Sequence, residues 1–179
     1  MRYFIGYLLQ GTVGEWHTNT AKEIADKFNT WKIYEKLPPH LTICYPEDLS
    51  NIDITDIRNY LKDWIQNNKI SGNFYISGFN RFEDRVVFAK VESDNSVCEV
   101  VKDLRQGIRN ISNIPNESFP EWHPHATLAN KLTSKEINEI WEYTKLLDRP
   151  NFVVPFNNLT IFKYLGDREW VVDEYFELR

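Results

Sequence analysis

Two five-residue stretches, Pro39-His40-Leu41-Thr42-Ile43 and Pro124-His125-Ala126-Thr127-Leu128, share the form Pro-His-apolar-Thr-aliphatic. Side chains alternate faces along a strand, so a histidine and a threonine two positions apart point the same way, roughly 7 Å apart. Leu41 and Ile43, or Ala126 and Leu128, then point to the opposite face and into a helix-packed core. A proline ahead of the histidine suits a strand start, where its missing N–H breaks no ladder bond. Each stretch therefore predicts a short strand presenting one proton-transfer group and one hydroxyl.

The first motif follows a short β-rich run at residues 3–9 and a helical region. Thr20 and Glu23 have capping-box spacing, and Ala21, Ile24, Ala25 and Phe28 recur at helical intervals after it. Beyond the motif, Ile54, Ile57, Leu61, Trp64 and Ile65 mark one face of a helix ending near Asn68. Residues 72–79 and 85–92 read as two strands, with Glu83-Asp84 as their hairpin turn. Val97, Val100, Val101, Leu104, Ile108 and Ile111 outline a third amphipathic helix. After the second motif, Thr133 and Glu136 form another capping box ahead of Ile137, Ile140, Trp141, Thr144 and Leu147. Residues 151–164 and 169–178 read as closing strands joined at Gly166-Asp167. Hairpins with helices between them predict an α+β fold, helices outside a mainly antiparallel sheet.

Composition narrows the function classes. A length of 179 residues fits one domain, here 1–179 with two intertwined lobes, and 42% apolar and 15% aromatic residues supply a packed interior. The formal charge of −5 provides no global field for long duplex nucleic acid. Cys44 and Cys98 make neither a disulfide framework nor a thiolate metal site of recognised spacing. The start, MRYFIGYLLQGTVGEW, has too short an apolar run for a membrane span and lacks a small-residue cleavage site. It reads as a first strand, and a cytoplasmic monomer is the expectation.

Brought near each other in the sheet, the two motif strands would converge four groups. Two imidazoles could flank a phosphorus atom, one taking a proton from the nucleophile and the other giving one to the leaving oxygen. Two threonine hydroxyls could donate to the non-bridging oxygens. Such a set cleaves a phosphodiester without a metal or cofactor.

The paired motifs resemble the active-site signature of the 2H phosphoesterase superfamily, which includes 2′-5′ RNA ligase-like proteins and RNA 2′,3′-cyclic phosphodiesterases. The resemblance spans nearly the whole chain: the His40–His125 separation and the order of helices and strands match. The segment Ile76-Ser77-Gly78-Phe79-Asn80-Arg81-Phe82 is also similar to the family's approach to its hairpin. The resemblance implies a bilobal, LigT-like α+β fold with pseudo-two-fold antiparallel sheets and outer helices around a central cleft. It implies that His40 and Thr42 face His125 and Thr127 across that cleft, in a metal-independent reaction. Family members cleave 2′,3′-cyclic phosphates, 2′-5′ linkages, cyclic nucleotides or oligouridylate ends, and some join RNA ends. Many carry a basic residue soon after the second motif, where this chain has Asn130 and Lys131.

The expected partner is thus a small nucleotide or RNA end, with no membrane. Alternatives are a nuclease of cyclic or 2′-5′ oligonucleotide messengers and a non-catalytic nucleotide- or RNA-binding module. Phe79, Phe82 and Tyr45 are candidate stacking platforms, and Arg81 and Lys163 candidate phosphate neighbours. His123 is a candidate partner for the site, and Glu121-x-His123-x-His125 the one stretch that could be read as a metal-ligand strand. His17 reads as a solvated loop residue.

Overall fold

The computed structural model describes residues 1–49, 52–82, 85–112 and 121–178. Its two four-stranded antiparallel sheets have matching plans. One is ordered β2 (His40–Cys44), β1 (Tyr3–Leu8), β7 (Asn158–Gly166), β8 (Glu169–Glu177). The other is ordered β5 (His125–Ala129), β4 (Val86–Ser93), β3 (Asn73–Phe82), β6 (Asn151–Pro155). Each motif strand is an edge strand, β2 of one sheet and β5 of the other, and the two edges meet. The motifs therefore come together across two sheets rather than within one.

The helices tie the lobes together by crossing over. Helix α1 (Gly11–Phe28) leaves β1 yet packs on β5 of the other sheet, while α4 (Asn95–Ser112) leaves β4 and packs near β2 and α3 (Ile54–Asn67). Helix α5 (Ser134–Thr144) covers β3 and β4, and the single turn α2 (Ile33–Lys36) lies against α1 and β5. Alternation along the motif strands works as their sequences demand: Leu41, Ile43, Ala126 and Leu128 are fully buried. They belong to one core that also holds Ile24, Ile57, Leu61, Val101, Leu104, Ile137 and Ile140. Burying a side chain of this size stabilises by roughly 1.5–3 kcal/mol.

Local caps explain several boundaries. The Asp53 carboxylate accepts the Thr55 N–H at 2.7 Å to start α3, and Thr133 and Glu136 make the reciprocal box that starts α5. The Thr20–Glu23 spacing, by contrast, starts nothing. Helix α1 already runs from Gly11, with Gln10 extended ahead of it. Val13, His17, Ala21 and Ile24 form its buried stripe, so a polar-looking first half is held by tertiary packing. Gly14 permits this, because a Cβ there would sit 2.5 Å from the Leu9 carbonyl oxygen.

Residues 151–164 are two strands, not one. The chain leaves β6 at Pro155, the Phe156 N–H bonds the Gly72 carbonyl at 2.9 Å, and β7 joins the opposite sheet. Buried Asn158 guides the crossing: its side chain accepts from the Leu8 N–H at 2.9 Å and donates to the Leu8 carbonyl at 3.1 Å. A turn through Gly166, Asp167 and Arg168, all at positive φ, links β7 to β8. The Glu83-Asp84 turn lies outside the described residues. No described helix is long and apolar enough to cross a membrane.

Candidate active site

His40 opens β2, and its Nδ1 lies 2.8 Å from the Pro38 carbonyl oxygen two residues earlier. His125 opens β5 in the same way, with Nδ1 2.9 Å from the His123 carbonyl oxygen. A carbonyl only accepts, so each neutral ring carries its proton on Nδ1 and keeps Nε2 as the free, basic nitrogen. The same local turn thus sets the same tautomer twice.

Paired phenylalanines seat each ring. His40 rests against Phe4 and Phe162, with centroids 4.8 and 5.2 Å away, and those two rings stack on each other at 4.4 Å. His125 rests against Phe82 and Phe88 at 5.1 and 5.2 Å. Gly6, across from Thr42, keeps the first seat open: a Cβ there would lie 2.8 Å from the Leu41 carbonyl oxygen and 3.1 Å from the Phe162 ring. The apolar seats disfavour the imidazolium. Burial, reinforced by the charge of nearby His125, pushes His40 down to about 4 despite its bond to Pro38. Burial also holds His125 below the usual histidine range, against the opposing pull of the His123 carbonyl.

Thr42 and Thr127 share the faces of their histidines, and both are half-buried. Their main-chain carbonyls are held from elsewhere. The Thr42 carbonyl accepts the indole N–H of Trp122 at 2.9 Å, and the Thr127 carbonyl accepts the Nε2–H of His17 at 2.9 Å. His17 is thus not a solvated loop residue: it sits in α1 and is 5% exposed. Burial and the charge of His40 push its pKa down to about 4. His17, His40 and Thr127 line one tight cavity of about 10 Å³ with Tyr34 and Leu37.

The remaining candidates divide. Phe82, 44% exposed, stands edge-on to His125 and borders the site. Phe79 does not: a bulge at Gly78 (φ 80°) turns it toward Trp16 of α1, 6.3 Å away. Arg81 lies over the Trp141 ring and donates to Asn138 on α5. Lys163 alternates with Phe162 on β7 and so occupies the opposite face. Tyr45 follows β2 with Arg105 and Asp48 as its neighbours. Tyr7 is buried between the lobes and donates to the Pro155 carbonyl. The His123 ring is exposed, 3.9 Å from Glu121, and only its main chain holds His125. Among the described residues, no group of three His, Cys, Asp or Glu side chains converges as a cation site. The seats Phe4, Phe88 and Phe162 carried no sequence signal beyond β-propensity, and Trp122 none beyond its place just before the motif.

Comparison with known proteins gives these features a family. A candidate phosphoesterase of Bacillus pumilus (strain SAFR-032) is 25% identical over 169 residues, spanning 88% of this chain and 92% of that protein. A Bacillus licheniformis counterpart is 24% identical over 165 residues, spanning 88% and 94%. Among solved structures, TT0787 of Thermus thermophilus superposes with a TM-score of 0.58 at 19% identity, covering 100% of this chain and 98% of that one. E. coli LigT in complex with 3′-AMP gives 0.60 at 13% identity, covering 99% and 97%. These structures share the LigT-like α+β fold. The model of the 2′-5′ RNA ligase superfamily matches residues 12–168, and the chain belongs to that superfamily, the 2H phosphoesterases.

Proposed function

We propose that this chain cleaves 2′,3′-cyclic phosphates, or closely related phosphodiesters of small nucleotides and RNA ends, by metal-independent acid–base catalysis with His40 and His125. The observation that carries this reading is the paired Nδ1-to-carbonyl anchoring, which frees one Nε2 in each lobe, on a strand whose threonine two positions on shares the same face. In hydrolysis, one Nε2 removes a proton from water as its oxygen bonds to phosphorus. The other imidazolium protonates the ribose oxygen as its bond to phosphorus breaks. In transesterification or its reverse, a ribose hydroxyl replaces the water. Burial disfavours the charge on both rings, and their matching anchors let either serve as base while the other, protonated, serves as acid. Thr42 and Thr127 donate to the non-bridging oxygens as charge builds there.

Phe82 offers an exposed ring beside His125 on which a base can stack. E. coli LigT has been crystallised with 3′-AMP, ATP, NADP+ and phosphate, which supports a nucleotide-sized ligand here. The test is a substrate panel in excess chelator: nucleoside 2′,3′-cyclic monophosphates, short RNA ending in a cyclic phosphate, 2′-5′ dinucleotides and cyclic oligonucleotides. Turnover of the first two supports the reading. Preference for the last two favours messenger cleavage, and binding without product over long incubation would mean a non-catalytic module.

A further inference from the structure

The proposed chemistry uses two histidines, yet a third lies within electrostatic reach of His40. His17 comes from α1 and is buried, and its Nε2–H donates to the Thr127 carbonyl 110 residues along the chain. β5 is an edge strand, so this carbonyl has no strand partner on its outer side. The opposite edge has a matching arrangement, with the Trp122 indole N–H on the Thr42 carbonyl. Both phosphate-binding threonines of the proposed site are therefore held through their own main-chain oxygens by an aromatic N–H donor. For Thr127 that donor comes from the helix that crosses between the lobes.

We propose that His17 is a positioning residue, which fixes the Thr127 strand against α1 and thereby sets the spacing between the two histidine–threonine pairs. The inference rests on the two-histidine reading above. Its chemistry is that of an N–H donor on a rigid ring, because the accepting carbonyl dictates the Nε2–H tautomer. The titratable groups that share its cavity are His40 from β2 and Tyr34 from α2. An uncharged His17 leaves His40 free to receive a proton; a charged one would oppose that transfer. A side chain meant only to fill the space would need no donor at all.

The test compares the wild type with His17→Gln, which keeps a terminal N–H donor, and His17→Phe, which keeps a ring without one. Two measurements are made: steady-state turnover of a nucleoside 2′,3′-cyclic monophosphate, and NMR of the His125 ring and Thr127 amide. His17→Phe should lower kcat at least tenfold with KM within about threefold, since a displaced Thr127 weakens contacts made in the transition state. His17→Gln should recover most of the loss. The Thr127 and His125 resonances should move in His17→Phe and return toward wild type in His17→Gln. Wild-type kcat in His17→Phe would overturn the proposal, as would His17→Gln as impaired as His17→Phe. Should the wild type itself show no turnover, the proposed reaction fails. The NMR comparison then decides the positioning role alone: unmoved resonances in His17→Phe reject it.

Discussion

The indole N–H of Trp122 meets the main-chain carbonyl of Thr42 at 2.9 Å, tying the approach of one motif strand to the edge of the other across 80 residues. Because this carbonyl belongs to an edge strand, removing its donor leaves a partly buried acceptor unmet, at about 1–3 kcal/mol. Trp122→Phe should lower the urea midpoint accordingly and reduce turnover together with stability. An unchanged midpoint would mean that solvent replaces the indole without cost.

The depressed histidines set the direction of the pH–rate profile. Catalysis needs one ring neutral and the other protonated. In the free enzyme, His40 loses its proton near pH 4, and His125 loses its own below the usual 6.5. The competent form is therefore most populated between those limits, and kcat/KM should peak on the acid side of neutrality. In the complex, the substrate anion stabilises the imidazolium, so the alkaline limb of kcat should lie higher than that of kcat/KM. Coincident profiles, or a kcat/KM optimum well above neutrality, would contradict this electrostatic picture.

Stability should follow pH in the sense dictated by His17. Its folded pKa, about 4, lies below the 6.5 of an unfolded histidine, so between those values the unfolded chain binds more protons. The His17 contribution is complete above 6.5 and falls as pH drops toward 4, by on the order of 3 kcal/mol, and His40 adds a loss in the same direction. Urea titrations at neutral and mildly acid pH should show a smaller loss for His17→Gln than for wild type. An equal loss would assign the acid sensitivity to other groups.

Phe82 should contribute binding rather than chemistry. Its ring borders His125 and remains accessible, and base stacking contributes roughly 1–3 kcal/mol per base. Phe82→Ala should raise KM for nucleoside cyclic phosphates about tenfold while kcat changes less. Phe79→Ala should leave KM unaltered, because that ring faces Trp16 instead. Equal effects from both variants would move the base elsewhere.

Much of this arrangement was legible in short stretches of chain. The period-two pattern of His40-Leu41-Thr42-Ile43 alone placed histidine and threonine on one face and two aliphatics in the core, as found. What failed were readings that depend on distant partners. His17 looks solvated because its neighbours are Thr18 and Asn19, and only the fold brings Thr127 to it. Residues 151–164 look like one strand because the sheet change at Pro155-Phe156-Asn157 is fixed by Asn158 bonding Leu8, 150 residues away. The Thr20–Glu23 pair matched a cap, but the helix was already running from Gly11. Phe79 and Phe82 look equivalent as aromatics, but three positions apart on a regularly paired strand they face opposite sides, and only Phe82 borders His125.

The most direct measurement is turnover of a nucleoside 2′,3′-cyclic monophosphate, in excess chelator, by wild type, His40→Ala and His125→Ala, with folding checked by circular dichroism. Each single variant should retain the fold and lose at least about a hundredfold in kcat, with the double variant little worse than either single one. Near-wild-type turnover by either folded single variant would contradict the two-histidine mechanism.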